Sequence, residues 1–195
     1  MMSLQKQPSL SLPDLESGLS RLIQSGWTLR PTSPTATAGQ SKLTNDTELA
    51  EYIKTIFGVT LPNKQVCENH ATPWQAFADA YFARSPVTVW KASRGFGGKS
   101  WMLALLGLTE ALTLGCDVNI LGGSGEQSSN VIRYLNQWPA PEVVGDAQTI
   151  RRLAGGNEIR ALLASTRSVR GPHPPRLRMD EVDEMNLPIF DAAMG

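Results

Sequence analysis

The residues with the most specific chemistry are Lys99 and Ser100, at the end of a glycine-rich stretch. From position 93 the chain reads Ser-Arg-Gly-Phe-Gly-Gly-Lys-Ser. This matches the phosphate-binding template of glycine, four residues, then Gly-Lys-Ser, with Ser93 at the first template position. Such a loop points backbone N–H groups at a phosphate, and the helix that begins there adds its positive end. The lysine neutralises phosphate charge and the serine hydroxyl binds Mg²⁺.

The elements around this loop support the same interpretation. Residues 86–90 are predicted to form a short apolar strand, and residues 99–114 a helix that is apolar on nearly all sides. Strand, turn and helix follow in the order that the template requires, which disfavours a turn with a chance Gly-Lys-Ser. The predicted nucleotide-binding residues of the loop are Ser93, Arg94, Gly95, Phe96, Gly97, Gly98, Lys99 and Ser100.

An acidic pair, Asp180 and Glu181, is the second chemical motif. A phosphate-loop ATPase needs a carboxylate at a strand end to hold Mg²⁺, and often a second one to activate the attacking water. Neighbouring residues of a strand point in opposite directions, so a bend must re-aim one carboxylate. Acidic pairs are common on surfaces, but a position about eighty residues after the loop strengthens the interpretation.

The strand before this pair is unusual, because Arg176 and Arg178 flank Leu177 where a central parallel strand is nearly all apolar. Two alternatives stay open: one face of the strand is partly open, or the assignment is weaker than it looks. Residues 151–178 hold seven arginines against one acid, Glu158. Two interpretations are open. The segment is a basic face that binds phosphate groups, either of DNA or of a neighbour's ATP, or it is a solvated face without a ligand.

Further elements are predicted between the two motifs. Residues 116–121 form a second strand, and Ser124 with Gln127 is a capping box for a helix. The apolar stripe of that helix is Val131, Ile132, Leu135 and Trp138. Residues 149–165 are predicted to form a hairpin that turns at Gly155-Gly156-Asn157. Alternating strands and helices predict an α/β fold with a mostly parallel sheet flanked by helices.

The N-terminal part is predicted to hold a helix at residues 11–25, followed at 30–42 by a flexible linker or, equally, a long ordered loop. Residues 45–57 are a stronger helix prediction, with Asn45 and Glu48 as a capping box and Gly58 at the end. Its predicted apolar stripe is Leu49, Ile53 and Ile56.

Thr72-Pro73-Trp74-Gln75 begins another predicted helix. Thr72 with Gln75 fits a capping box, and Pro73 suits the first turn. The alternative role for Gln75 is to bind the adenine edge with its amide. Spacing alone favours capping. Two roles are possible for Trp74: it packs in the core, or it covers the adenine ring.

Composition limits the other classes of function. The 195 residues are 41% hydrophobic, and 18 basic residues balance 18 acidic ones, so net charge does not favour nucleic acid binding. Cys67 and Cys116 share no motif, which favours a reduced cytosolic protein, and His70 and His173 give no zinc-ligand spacing. No signal peptide or membrane-spanning run is present in this sequence.

Taken together, the motifs resemble the large terminase subunit of tailed bacteriophages, the ATP-driven DNA-packaging motor. The resemblance covers about residues 72–184. The matching pieces are Thr72-Pro73-Trp74-Gln75, the segment from Ala92 to Ser100, the glycine-turn hairpin, Val169-Arg170-Gly171, and Met179-Asp180-Glu181-Val182-Asp183-Glu184. The resemblance implies a RecA-like P-loop NTPase fold.

The resemblance also implies roles for individual residues. Lys99 and Ser100 would bind ATP and Mg²⁺, Asp180 would hold Mg²⁺, and Glu181 would be the catalytic base. Gln75 would contact adenine, which on this ground outweighs the capping preference. Arg94 would contact the γ-phosphate, and Arg170 would reach a neighbouring subunit's ATP as an arginine finger. Hydrolysis at the subunit interface of a ring would then change the grip on DNA.

Residues 1–43, which the resemblance does not cover, are expected from their pattern and composition to be an N-terminal helix and linker. The resemblance implies that residues 44–195 are an incomplete, C-terminally truncated ATPase domain without the family's nuclease domain. Expected partners are double-stranded DNA, further copies in a ring, the small terminase subunit and the portal, in the host cytoplasm. The alternatives are a helicase-like DNA translocase or a catalytically inactive nucleotide-binding module.

Overall fold

The computed structural model describes most of the chain from residue 42 onward. The described residues are 42–92, 98–138, 143–146, 149–162, 165, 169 and 174–194. The predicted helix at residues 11–25 and nearly all of the predicted linker at 30–42 lie outside them. Within the described part, no helix has the length and apolar character needed to cross a membrane.

The described chain combines helices with one mixed β-sheet, which confirms the predicted α/β class. The helices are α1 Asp46–Phe57, α2 Pro73–Tyr81, α3 Lys99–Leu114, α4 Gly125–Leu135 and α5 Leu187–Met194. The strands are β1 Val118–Leu121, β2 Val143–Asp146, β3 Ile150–Leu153, β4 Glu158–Leu162 and β5 Arg176–Met179. A 3-10 turn at Val182–Glu184 follows β5.

The five strands form one mixed sheet in the order β2-β3-β4-β1-β5. β1 pairs in parallel with β4 on one side and with β5 on the other. β2, β3 and β4 pair antiparallel, and β3 with β4 is the predicted hairpin, with Gly156 at positive φ in its turn. The predicted parallel arrangement is therefore confirmed for β1, β4 and β5, while β2 and β3 extend the sheet in antiparallel fashion.

α3 and α4 pack together with one face of the sheet around the main hydrophobic core. Val118 and Ile120 point toward α3, where a Cβ on Gly107 would lie 3.5 Å from Val118 Cγ1, so this glycine permits close helix–sheet packing. α3 is buried at most positions, which confirms the prediction of a helix that is apolar on nearly all sides. A smaller apolar cluster that includes Leu121 and Phe190 forms a second core.

α1 begins and ends as predicted. The Asn45 Oδ1 atom accepts a hydrogen bond from the Glu48 N–H at 3.0 Å, and the Glu48 carboxylate accepts one from Asn45 Nδ2 at 2.8 Å. Gly58 closes the helix with φ 68°, a left-handed conformation that favours glycine. The helix ends are thus determined by local hydrogen bonds.

The predicted apolar stripe of α1 is wrong at one position. Ile56 is 42% exposed, and Phe57 is buried in its place. Leu49, Ile53 and Phe57 follow one another at four-residue spacing, so they lie on one helix face. The helix face that packs on the core therefore includes Phe57 and not Ile56.

The strand predicted at residues 86–90 is also wrong, because no strand is assigned there. Val87 and Val89 are 42% and 69% exposed. The Trp90 indole N–H donates to the Ala76 carbonyl of α2 at 3.1 Å. The alternating residues favour extended backbone, but a strand also needs a hydrogen-bonded neighbour. No described residue pairs with this segment in a sheet.

Candidate functional site

The start of α3 carries the end of the glycine-rich loop. Gly98 has φ 57°, a conformation that a side chain would strain, and its carbonyl accepts the Met102 N–H at 2.9 Å. No described side chain caps this helix end. Backbone N–H groups of the first turn have no partner inside a helix, so they are available to an anion.

Lys99 lies at this same end of α3. Its Nζ atom donates to the Ala92 carbonyl at 3.2 Å. Because Ala92 comes just before the glycine-rich loop and Lys99 at its end, this hydrogen bond joins the two ends of the loop. The remaining predicted loop residues lie outside the described residues: Ser93, Arg94, Gly95, Phe96 and Gly97. Arg170 also lies outside them.

The acidic pair follows β5 through a sharp change of backbone direction. Asp180 continues the pairing with β1, since its N–H donates to the Leu121 carbonyl at 2.8 Å. Glu181 then has φ 53° and ψ 48°, a left-handed conformation that is uncommon for a residue other than glycine. This is the bend that the sequence requires if both carboxylates are to face one site, so that expectation is confirmed.

Asp180 is well placed for a cation. Asp180 is only 7% exposed, and its Oδ1 atom accepts a hydrogen bond from the Glu181 N–H at 3.1 Å. A buried carboxylate is costly unless it is paired or binds a metal. In the described part of the chain, no basic side chain forms an ion pair with Asp180.

An open cleft brings the two motifs together. Ser100, Asp180 and Glu181 all line it, and its volume is about 330 Å³. The other lining residues belong to α4 and the turn after it: Gln127, Asn130, Arg133, Tyr134 and Gln137. A hydroxyl and carboxylates are the oxygen ligands that Mg²⁺ prefers, and Mg²⁺ is usually bound by one or two carboxylates plus phosphate and water. The residues present therefore fit a magnesium nucleotide.

Sequence analysis did not identify the α4 wall of this cleft. Val131, Ile132, Leu135 and Trp138 are buried, as predicted. The signal for the opposite face was present in the polar residues at spacings of three and four, which share one side of a helix. The predicted capping box is half formed: Ser124 Oγ accepts the Gln127 N–H at 3.2 Å, while no described group bonds Gln127 Oε1.

Gln75 forms the predicted capping box. Its Oε1 atom accepts the Thr72 N–H at 2.9 Å, and Thr72 Oγ1 accepts the Gln75 N–H at 3.1 Å. Gln75 is otherwise exposed. Trp74 is stacked on Phe77 with centroids 6.4 Å apart and packs against the main core. The capping and core-packing roles are thus present, and the adenine contacts stay predictions.

A buried charge cluster explains the two arginines of β5. Glu110, in the middle of α3, is 0% exposed. Arg178 Nε donates to Glu110 Oε2 at 3.1 Å, with Nη2 on Oε1, and Arg176 Nε lies 3.2 Å from Oε1. Burial raises the pKa of Glu110, and the Arg178 and Arg176 guanidiniums oppose this by favouring the carboxylate. The strand is therefore formed, and its four residues are each partly exposed, which agrees with the alternative of a strand whose one face is partly open, while its arginines pair with Glu110 of α3.

The arginine-rich segment is correspondingly less basic than its composition indicates. Arg160 pairs with Glu158, and Arg152 lies 3.7 Å from the same carboxylate. Arg151 is buried. In the part of the segment that the structure describes, most guanidiniums are therefore matched by acids of the same chain. Arg167 lies outside the described residues.

Comparison with known proteins adds no family to this geometry: no protein-family model matches the chain, and no curated protein matches its sequence with significance.

Proposed function

We propose that this chain is the ATP-binding and hydrolysing motor domain of a phage-type large terminase subunit, which couples hydrolysis to movement of viral DNA into a capsid. One observation carries the proposal. Ser100 and the pair Asp180–Glu181, which belong to different motifs, line the same cleft. A chance Gly-Lys-Ser and an unrelated surface acidic run have no reason to meet in space.

Each residue has a role that suits its place. Lys99 neutralises β- and γ-phosphate charge, while Ser100 and Asp180 hold Mg²⁺, which lowers the cost of charge on the phosphates when it is bound. Glu181 accepts the proton of the attacking water. Its left-handed backbone aims a carboxylate that an extended strand would have turned away. Strain of this kind is found at functional sites.

The remaining roles come from the resemblance to terminases. Arg94 binds the γ-phosphate, and Gln75 contacts adenine while its Oε1 caps α2. Arg170 acts on the ATP of a neighbouring copy in a ring. An arginine finger is commonly worth ~10³–10⁵ in rate, so a single copy in dilute solution hydrolyses ATP slowly. DNA, the small terminase subunit and the portal complete the proposed assembly.

The test is ATP turnover by the 195-residue chain, with and without double-stranded DNA, beside Lys99→Ala and Glu181→Gln. We expect Lys99→Ala to abolish MgATP binding. Glu181→Gln should keep binding and lower turnover by roughly 10²–10⁴-fold, the usual contribution of a general base. Arg152→Ala, which changes an exposed side chain of β3, is the matched control and should behave as wild type.

Three results would reject parts of this proposal. Turnover that is unchanged in Lys99→Ala would reject the nucleotide site as a whole. Tight MgATP binding with no turnover at any protein or DNA concentration would favour an inactive nucleotide-binding module. Turnover stimulated by single strands but not by duplex DNA would favour a helicase-like translocase over a packaging motor.

A further inference from the structure

The α4 side of the cleft is a polar face on an otherwise core-packed helix. Gln127, Asn130, Tyr134 and Gln137 recur at spacings of three and four, so they share one side of the helix with Arg133 beside them. The opposite side is anchored in the main core by buried apolar residues. The polar face therefore cannot rotate away from the cleft without unpacking the core.

Two tryptophans hold the end of α4 next to the nucleotide motif. The ring of Trp138, just after α4, lies 5.3 Å from the ring of Trp101, which follows Ser100 in the first turn of α3. Trp138 also contacts Phe57 edge-on, with centroids 6.0 Å apart. This contact brings the last turn of α4, and with it Arg133, to the side of the cleft where Ser100 lies.

Arg133 differs in its surroundings from the buried Arg151 and from the five described arginines that form ion pairs. Arg84, Arg152, Arg160, Arg176 and Arg178 each pair with an aspartate or glutamate. Arg133 is exposed and forms no ion pair with any described residue. Its charge is the only positive one among the residues that line the cleft, which also include the acids Asp180 and Glu181.

An unpaired guanidinium in such a place suits a phosphate group. Arginine presents a planar fork of donors that binds phosphate oxygens through two hydrogen bonds at once. The two carboxylates alone would repel a triphosphate, and a cation among the residues that line the cleft opposes this repulsion. Lys99 is not among the residues that line the cleft, and its Nζ atom donates to the Ala92 carbonyl, so Arg133 is the positive charge in the lining itself.

We infer that Arg133 binds the terminal phosphate of the nucleotide within the same subunit and thereby distinguishes a triphosphate from a diphosphate. This rests on the proposed nucleotide site. Arg133 is distinct from Arg94 in the glycine-rich loop and from Arg170, which acts across a subunit interface. Its role requires no neighbouring copy, so it is measurable without assembly of a ring.

The experiment measures the affinities of fluorescent MgATP and MgADP analogues for the 195-residue chain and its variants by equilibrium titration. We expect Arg133→Ala to lower the ratio of ATP affinity to ADP affinity by roughly ten- to a hundredfold, the worth of a charge-assisted hydrogen bond pair. Arg133→Lys should recover part of this loss, because it keeps the charge but not the fork. Arg152→Ala should leave the ratio unchanged.

The outcomes separate this inference from the proposed function. If the wild type binds MgATP and Lys99→Ala does not, but Arg133→Ala keeps the wild-type ratio, the inference on Arg133 is wrong while the nucleotide site stands. Equal weakening of ATP and ADP would also overturn it, since Arg133 would then contact another part of the nucleotide. If the wild type binds neither nucleotide, the proposed function and the inference both fail.

Discussion

Two charged regions of this molecule are built from the same pair of elements and have opposite characters. The buried cluster joins Glu110 of α3 to Arg176 and Arg178 of β5. The open cleft joins the start of α3 at Ser100 to the acids that follow β5. In the cluster, two guanidiniums share one carboxylate, so each charge has a partner within the protein. In the cleft, Asp180 faces open volume with no described basic partner, and this leaves it available to a ligand.

The difference shows how one strand serves both stability and chemistry. Alternate residues of β5 point to the same face, so Arg176 and Arg178 both turn toward α3. Parallel pairing with β1 runs on to Asp180, and the left-handed Glu181 then directs the chain out of the sheet. The buried pairs hold β5 against α3 just where the next residues must be placed. Charge content alone does not identify the functional region, whereas unpaired charge at an opening does.

The largest effect is expected from breaking the buried cluster. Glu110→Ala leaves two guanidiniums beside a buried site without their carboxylate, which costs about 3–5 kcal/mol of unfolding free energy. Urea unfolding followed by circular dichroism measures this. If the variant does not fold, the combined replacement Glu110→Leu, Arg176→Met, Arg178→Met should fold, because an apolar core of similar volume replaces the ions. A loss of unfolding free energy below about 0.5 kcal/mol for Glu110→Ala would contradict the account, because a loss of that size is typical of a solvent-exposed ion pair.

A smaller contrast separates the two cysteines. Cys116 is buried, and burial together with the nearby Glu110 carboxylate raises the pKa of its thiol from 9.0 to about 11. Cys67 is exposed. At pH 8 we expect one thiol to react promptly with a disulfide reagent and the second to react only as the protein unfolds, because burial denies access and thiolate is scarce. Cys67→Ser should remove the fast phase and Cys116→Ser the slow one.

The same thiol predicts a pH dependence of stability. The folded-state pKa of Cys116 lies above the unfolded value, so the unfolded state loses its proton first as pH rises. Stability is therefore expected to fall from about pH 9 toward pH 11, and this part of the loss should be absent in Cys116→Ser. A fast reaction of both thiols in the folded protein would contradict the burial of Cys116.

Much of the fold follows from local signals in the sequence. Thr72 with Gln75, and Gly58, determine helix ends as predicted. Asn45 accepts the Glu48 N–H as the predicted N-cap, although the Glu48 carboxylate accepts from the Thr44 N–H rather than from the Asn45 N–H. The hairpin around Gly156 is local in the same sense. The bend at Glu181 was predictable because two adjacent carboxylates cannot face one site from an extended strand.

The failures concern partners that are distant in sequence. The segment at residues 86–90 has strand-like residues, but a neighbouring strand decides whether it joins a sheet. Glu110 and Arg178 are a pair separated by 68 residues, and no local pattern connects them. The hints were a single acid within an apolar helix and arginines at alternate strand positions. The spacing of polar residues in α4 marks a polar face beside Arg133, but that this face lines the cleft depends on packing between distant residues such as Trp101 and Trp138.

The most direct test of the central claim is a double-mutant cycle on Ser100→Ala and Asp180→Asn, with MgATP affinity as the measurement. If both side chains hold the same Mg²⁺, the two losses overlap, and we expect an interaction energy of about 0.5–3 kcal/mol between them. The same cycle with Asp191→Asn of α5 in place of Asp180→Asn is the control and should be additive. Additive losses for Ser100 and Asp180, or no loss in either variant, would contradict a shared magnesium nucleotide site in this cleft.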